Sequence, residues 1–492
     1  MSESRPCSLR VMLMVAVLSF SSVASAATTI IGSKAFTESV ILGEIATQLT
    51  EEAGFDAEHR RQLGGTRVLW SALIRGDIQC YPEYTGTLRT EIFSNQNITN
   101  DAELREALQR QSIWTSESLG FNNTYVLGMR RDRAAELGIT RMSQLADHPA
   151  LRFGFSNEFM ERADGWPGIR AHYRLPQKDV RGLSHDLAYR GLESRSLDLT
   201  DLYSTDAEIV HYDLTTLLDD RKFFPVYDAI IVCRDDVPDA IRQSLNRLGG
   251  RIDEMTMTKM NARAALGREP EAQIAASFLR DQLHVTADPK VQSRYARIWQ
   301  RTREHLAMVG ISLGLAVLVA VPLGIIAFYR RGVGRVVFAI ADILQTLPAL
   351  ALLVFLIPWL GIGYAPAIVA LFLYSVLPIL RNTHTGLADI PRDLRESAEA
   401  LGLPRIARLR YVELPLAARS MLAGVRTAAV INVGTATLGA LIGAGGYGQP
   451  ILTGIRLDDT KLILEGAVPA ALLALLVQWV FGWIERRWVT AK

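Results

Sequence analysis

The stretch HLAMVGISLGLAVLVAVPLGIIAF, residues 305–328 of 492, decides the fold of this chain. It contains no Asp, Glu, Lys or Arg, and about 20 apolar residues suffice to cross a bilayer core. Four further stretches meet the same requirement, at about 337–360, 364–380, 421–442 and 465–484. Upstream of His305 the sequence mixes polar and apolar residues in short segments. One polypeptide therefore joins a water-soluble module to an all-α membrane module of about five helices.

Basic residues orient the module, because Lys and Arg concentrate in cytoplasmic loops. Arg330, Arg331 and Arg335 separate the first two stretches, Arg381 to Arg410 the third and fourth, and Arg486, Arg487 and Lys492 follow the fifth. Alternate crossing puts all three clusters on one side. That predicts a cytoplasmic C-terminus and an extracytoplasmic domain before His305. The start of the chain agrees: Arg5 and Arg10 flank the beginning of an apolar run, VMLMVAVLSF at 11–20, and Ala24-Ser25-Ala26 forms an A-x-A site. The expected organisation is a signal peptide over 1–26, an exported domain over 27–290, a linker over 291–304 and the membrane domain over 305–492.

A net charge of +2 is near neutral for this length, and the basic bias is confined to the loops, so no nucleic-acid partner is implied. Cys80 and Cys233 lie in the exported part. An oxidising compartment permits a disulfide; their apolar strand-like settings, IQCY and AIIVC, fit buried free thiols as well.

The exported half alternates short strands with helices, the pattern of an α/β domain with a largely parallel sheet. Strands are predicted at TTIIGS (28–33), Ala57–Gln62 and Ile78–Tyr81, with helices over Thr37–Ala53, capped by Thr37, and Thr66–Arg75. A second series comprises LRFGFS at 151–156, a helix after Trp166, a strand before His185 and LDLTDLYS at 197–204. Phe223–Arg234 is again strand-like, and helices follow to about Leu283. This predicts lobe I over about 27–125 and 226–290, and lobe II over about 126–225. Ligands of such sheets bind beyond the carboxyl ends of the strands.

Four tyrosines each stand at a strand end or possible crossover: Tyr84, Tyr125, Tyr203 and Tyr227. Grouped rings offer negative faces to a cation that cannot donate hydrogen bonds, the way quaternary ammonium groups are held. Lys34 precedes a predicted helix start, where the backbone already favours an anion. Arg162 can grip a carboxylate with two parallel bonds, and Thr87 can donate a third.

GSKAFTES (32–39), LGGT (63–66), GDIQCYPEYTGT (76–87), ERADG (161–165), YSTDA (203–207) and YDAIIVCRD (227–235) together resemble the substrate-binding proteins of osmoprotectant ABC importers, receptors for glycine betaine, choline and carnitine. The resemblance implies a two-lobed periplasmic-binding-protein fold (type II). It also implies an aromatic cage of Tyr84, Tyr125, Tyr203 and Tyr227, and carboxylate binding by Lys34, Thr87 and Arg162. A cage with a carboxylate clamp favours a zwitterion over choline, which would leave both basic groups without an anion. An acidic residue beside the cage, Asp206 or Asp228, would reverse that preference. Ergothioneine receptors fall in the same general family.

ESAEALGLPRIARLRYVELPLA, 396–417, resembles the coupling loop of bacterial ABC importer permeases, with Glu396, Ala398, Gly402, Val412, Leu414 and Pro415 at the matching positions and Ser397 as a departure. Gly402 is read as ending one short helix, Arg395–Leu401, before another begins at Arg405. The coupling loop spans 381–417, and no phosphate-binding G-x-x-x-x-G-K-[ST] occurs. The chain is thus expected to bind no cofactor and to act as a transport subunit, not an enzyme. ATP and Mg would be used by a separate cytoplasmic ABC ATPase, and the permease halves would form a homodimer in a bacterial inner membrane, the binding domain periplasmic. GAGGYGQP, 443–450, is expected to be an outward-facing loop. A ligand-gated channel or sensor would also join a cleft receptor to membrane helices, but a sensor is expected to carry a cytoplasmic output domain after the last helix, where ERRWVTAK stands, and a channel would not require a coupling loop. No metal-ligand spacing or catalytic constellation stands out, and His185 and His211 read as surface or packing residues.

Overall fold

The computed structural model describes residues 28–96, 98–287, 293–457 and 459–489. The expected signal peptide, the boundary at 290 and Lys492 lie outside the described residues. Among the described residues the binding half contains ten strands beside its helices: β1 Thr29–Gly32, β2 Ala57–Arg60, β3 Cys80–Tyr84, β4 Ile113–Thr115, β5 Tyr125–Arg130, β6 Phe153–Ser156, β7 Val180–Leu183, β8 Thr200–Tyr203, β9 Leu214–Leu217 and β10 Ala229–Arg234. They build a five-stranded sheet in the order β2-β1-β3-β10-β4, a three-stranded sheet β8-β5-β9 and a pair β6-β7.

The expected parallel character holds only for part of this. β1 pairs parallel with β2 and β3, and β6 with β7, whereas β10 runs antiparallel to β3 and β4, and β5 antiparallel to β8 and β9. The reason is topological: β10 brings the chain back from the second group of strands and enters the first sheet from the opposite end. Its register sets Cys233 directly against Cys80, and the two form a disulfide, which decides against two free thiols. The bridge closes the base of the excursion that carries β5 to β9.

Helix Thr37–Glu52 is buried over most of its length, 13 of its 16 residues, as befits an element enclosed between the sheet and the helices Glu254–Ala265 and Glu271–Leu283. Phe36, not Thr37, occupies the N-cap position and supplies no side-chain cap.

Among the described residues the membrane half contains four long apolar helices, Arg294–Tyr329, Tyr364–Ala388, Arg405–Ile442 and Thr460–Arg487, and a fifth element in two pieces, Arg331–Thr346 and Ala349–Leu360, bent by 102°. The bend corrects the expected straight stretch at 337–360. Pro348 drives Leu347 into extended geometry (φ −69°, ψ 130°) and interrupts the helix. Residues 294–304 are helical and continue into the first span, so most of the expected linker is a rigid extension of it.

Contacts fix the two ends of this bundle. At one end Arg75 of the binding half donates to the Ile357 carbonyl, Gln62 meets Gln449, and His305 sits 3.0 Å from the Val433 carbonyl. At the other, Tyr329 donates to Glu413 and Arg419 pairs with Glu485 at 2.8 Å. The broken element begins at the second end and finishes at the first. Counted as one span, it brings the four candidate spans to five, with the binding half and the 392–413 helices at opposite ends.

Candidate functional site

The strand ends bring the four tyrosines together. Tyr84 closes β3, Tyr125 opens β5, Tyr203 closes β8, and Tyr227 precedes β10. The Tyr125 ring lies 5.2 Å from that of Tyr203 and 5.8 Å, edge-on, from that of Tyr227. Phe36 completes the connection to Tyr84, stacking 5.3 Å from Tyr203 and 6.2 Å from Tyr84. Phe159 and Phe224 pack against Tyr125 from behind, at 5.0 and 5.9 Å. Gly86 is required here: a Cβ would fall 2.5 Å from the Tyr227 ring. Thr87 follows it, buried one turn after Tyr84.

Two basic residues face these rings. Lys34 Nζ is 5.3 Å from the Tyr84 centroid and the Arg162 guanidinium carbon 5.5 Å from that of Tyr125. Neither is a bare charge. Lys34 is paired with fully buried Glu83, and Arg162 donates through Nε and Nη2 to Asp164 at 2.8 and 2.5 Å. Asp164 also accepts from the Tyr227 hydroxyl at 2.5 Å and from Thr90 at 2.9 Å. Burial raises the tyrosine hydroxyls well above their ordinary range, so all four remain neutral donors.

Behind the rings lie two buried acidic centres. Glu38 accepts from Tyr84 (2.5 Å), Asn123 (2.8 Å), Thr205 (2.5 Å) and Asn261 (3.2 Å), which locks the Tyr84 ring to segments from three parts of the chain. Burial pushes its carboxyl upward against the pull of those donors. Asp206 accepts from the Tyr203 amide at 2.8 Å and lies 3.1 Å from His185 Nε2. Although burial disfavours its charge, His185 is raised well above its ordinary value by Asp201 and Asp206, and its ring lies 4.7 Å from Tyr203. His185 thus packs against Tyr203 and Tyr189, the packing role among its sequence readings, while pairing with two carboxylates. Asp206 is spoken for by those bonds, and burial raises the Asp228 carboxyl, with Asp101 adding to the rise and Arg89 opposing it.

Sequence reasoning missed Phe36, Glu38, Glu83 and Asp164, although each falls inside a quoted motif, GSKAFTES, YPEY or ERADG. The signal was proximity to a named residue: each sits within four positions of Lys34, Tyr84 or Arg162.

At the far end Gly402, in left-handed geometry at φ +74°, ends helix Arg392–Ala400. The second helix is not separate: Arg405 begins a helical run that continues into the fourth span, reaching Ile442. Ala398 is buried, Val412 and Leu414 half-buried, and Glu396 and Pro415 exposed. Between them Glu413, 1% exposed, joins the Tyr329 hydroxyl to Arg408 (3.5 Å) and Arg395 (3.8 Å). The GAGGYGQP segment lies at the binding-half end, and from Gly448 it is helical, not loop.

Residues 27–281 match the model of the substrate-binding domain of ABC-type glycine betaine transport systems. The chain belongs to this family. Residues 320–490 match the inner membrane component of binding-protein-dependent transport systems, so this substrate-binding domain is fused to its permease. The chain is 44% identical over 198 residues to a choline transport system permease of Bacillus subtilis (strain 168), covering 40% of this chain and 91% of that one. It is 43% identical over 203 residues to a glycine betaine/carnitine/choline permease of the same organism, covering 41% and 93%. A crystal structure titled glycine betaine/carnitine/choline ABC transporter aligns over 52% of this chain and 99% of its own, with 27% identity and a TM-score of 0.45. The substrate-binding half thus supplies the ligand site of an ABC importer for betaine-type osmoprotectants, and the permease half its membrane component.

Proposed function

We propose that this chain captures a quaternary-ammonium osmoprotectant outside the cytoplasm, glycine betaine first with carnitine and proline betaine, and passes it inward through its own helices. A separate cytoplasmic ATPase seats on residues 381–417 and hydrolyses ATP, and two copies of the chain form the pathway. The observation that carries this reading is the ring group Tyr84, Tyr125, Tyr203 and Tyr227, whose faces already hold the chain's own cations. At about 0.5–2 kcal/mol per ring, the cage supplies a substantial part of the roughly 8 kcal/mol of a micromolar complex.

Tyr84 and Tyr227 belong with the first sheet, Tyr125 and Tyr203 with the second. A trimethylammonium group enters when the lobes part and separate the touching rings, a hinge motion. Its carboxylate meets the Nη1 edge of Arg162, the side left by the Asp164 fork.

Those ion pairs favour a second cargo. Because Lys34 and Arg162 each keep a carboxylate inside the chain, choline strands no unmatched charge, and the penalty expected from sequence disappears. Titration calorimetry of the full chain in detergent, with glycine betaine, carnitine, proline betaine, choline and ergothioneine, tests both. The expected result is zwitterion binding weakened at least tenfold by Tyr203→Ala and by Arg162→Ala, with choline sensitive to the first alone. Silence across the panel would sink the cargo reading.

A further inference from the structure

The binding half rests on the membrane half through a buried ionic chain. Arg456, the last residue of helix Gly448–Arg456, pairs with Glu271 at the start of helix Glu271–Leu283, their side chains 4% and 6% exposed. Its Nη1 donates to Thr37 Oγ1 at 2.9 Å. With the Gln62 amide turned so that its oxygen faces the guanidinium, Gln62 accepts from Nε at 2.6 Å and donates to Thr453 at 3.1 Å. One membrane-half side chain thus grips three separate segments of the binding half. Nearby, Leu63 closes on Gly443, where φ is +76° and a Cβ would lie 2.4 Å from the Leu63 methyl.

The chain of partners continues to the ligand loop. Glu271 lies 3.7 Å from Arg61, which pairs with Glu44 at 2.5 Å; Glu44 holds His59 Nδ1 at 2.6 Å, and His59 Nε2 reaches Ser33 Oγ at 2.8 Å. Burial works against charge on Glu44, yet Arg61 and His59 hold it down to about 2. Ser33 and Thr37 are the two ends of the loop that carries Lys34 and Phe36. Arg456 therefore pins one end directly and the other through the chain. Removing its charge leaves Glu271 buried with Arg61 at 3.7 Å as its remaining cation, the situation in which a buried carboxylate drives local rearrangement.

We infer that Arg456 is a positioning residue for the ligand loop: docking of the binding half on the membrane half holds Lys34 and Phe36 in binding geometry, so docking and ligand affinity are linked. The linkage is reciprocal, and a ligand that reshapes the loop changes the docking. The affinity part rests on the ligand site proposed above; the loop part does not.

Hydrogen exchange on the full chain in lipid nanodiscs separates the two, comparing the wild type with Arg456→Gln and Thr37→Val. The expected result is at least tenfold faster exchange of the amides of residues 33–39 in Arg456→Gln, a smaller rise in Thr37→Val, and no change in 151–156. The glycine betaine Kd should rise about tenfold in parallel. Unchanged exchange over 33–39 overturns the inference, as does faster exchange with an unchanged Kd. Thr37→Val poses the same question from the binding half should Arg456→Gln fail to insert. If the wild type binds no member of the panel while exchange still rises, the cargo reading falls and the positioning role stands.

Discussion

The ligand cleft and the coupling end solve opposite problems with similar parts. Each is organised by buried carboxylates, Glu38, Glu83 and Asp164 in the cleft and Glu413 at the coupling end. They differ in what happens to the apolar side chains. Tyr227 is 2% exposed, whereas Leu401, Ile406 and Tyr411 are 80%, 81% and 68% exposed. The cleft closes its apolar surface with its own two lobes, whereas the 392–413 end leaves its apolar side chains exposed. Membrane components of this kind work with a cytoplasmic ATPase.

The sharpest break of that contrast is at the coupling end. Leu401→Asp combined with Ile406→Asp should reduce ATP-dependent uptake in reconstituted vesicles to background while ligand affinity by calorimetry stays within about twofold. Loss of binding as well would mean the two ends are not separable. Within the cleft, Phe36→Ala removes the ring between Tyr84 and Tyr203. Losing one such contact, about 1 kcal/mol, should weaken betaine binding roughly five- to tenfold. An unchanged Kd would reduce the cage to its tyrosines.

The smallest effect concerns His185. Its folded pKa is raised, so its charge stabilises the fold fully below the ordinary value of 6.5, and that contribution is lost as pH rises through the raised value. The thermal midpoint of the wild type over His185→Gln should therefore be larger at pH 6 than at pH 9. A difference that grows with pH would contradict the Asp201–His185–Asp206 arrangement.

The tyrosines were legible because each stands at a strand end, and strand ends can be read from local pattern. Their supports were not. Glu38 holds Asn261 across 223 positions and Thr205 across 167, and the Tyr227–Asp164 bond spans 63. No local periodicity encodes such pairs. The disulfide was undecided for the same reason, since it depends on the β3–β10 register. In the membrane half, hydropathy located the apolar stretches but not the break at Pro348, because apolar content is continuous through the bend while the backbone is not.

Sequence by itself determined the division into a binding half and a membrane half, the apolar stretches and the ring-bearing strand ends, because each depends on side-chain type at short range. Tertiary structure decided which charges are paired, that Phe36 belongs among the rings, and that Arg456 reaches back to Thr37 and Glu271. Those outcomes rest on burial. A charge taken from water must find a partner, and which partner lies within reach is settled only when distant segments pack together.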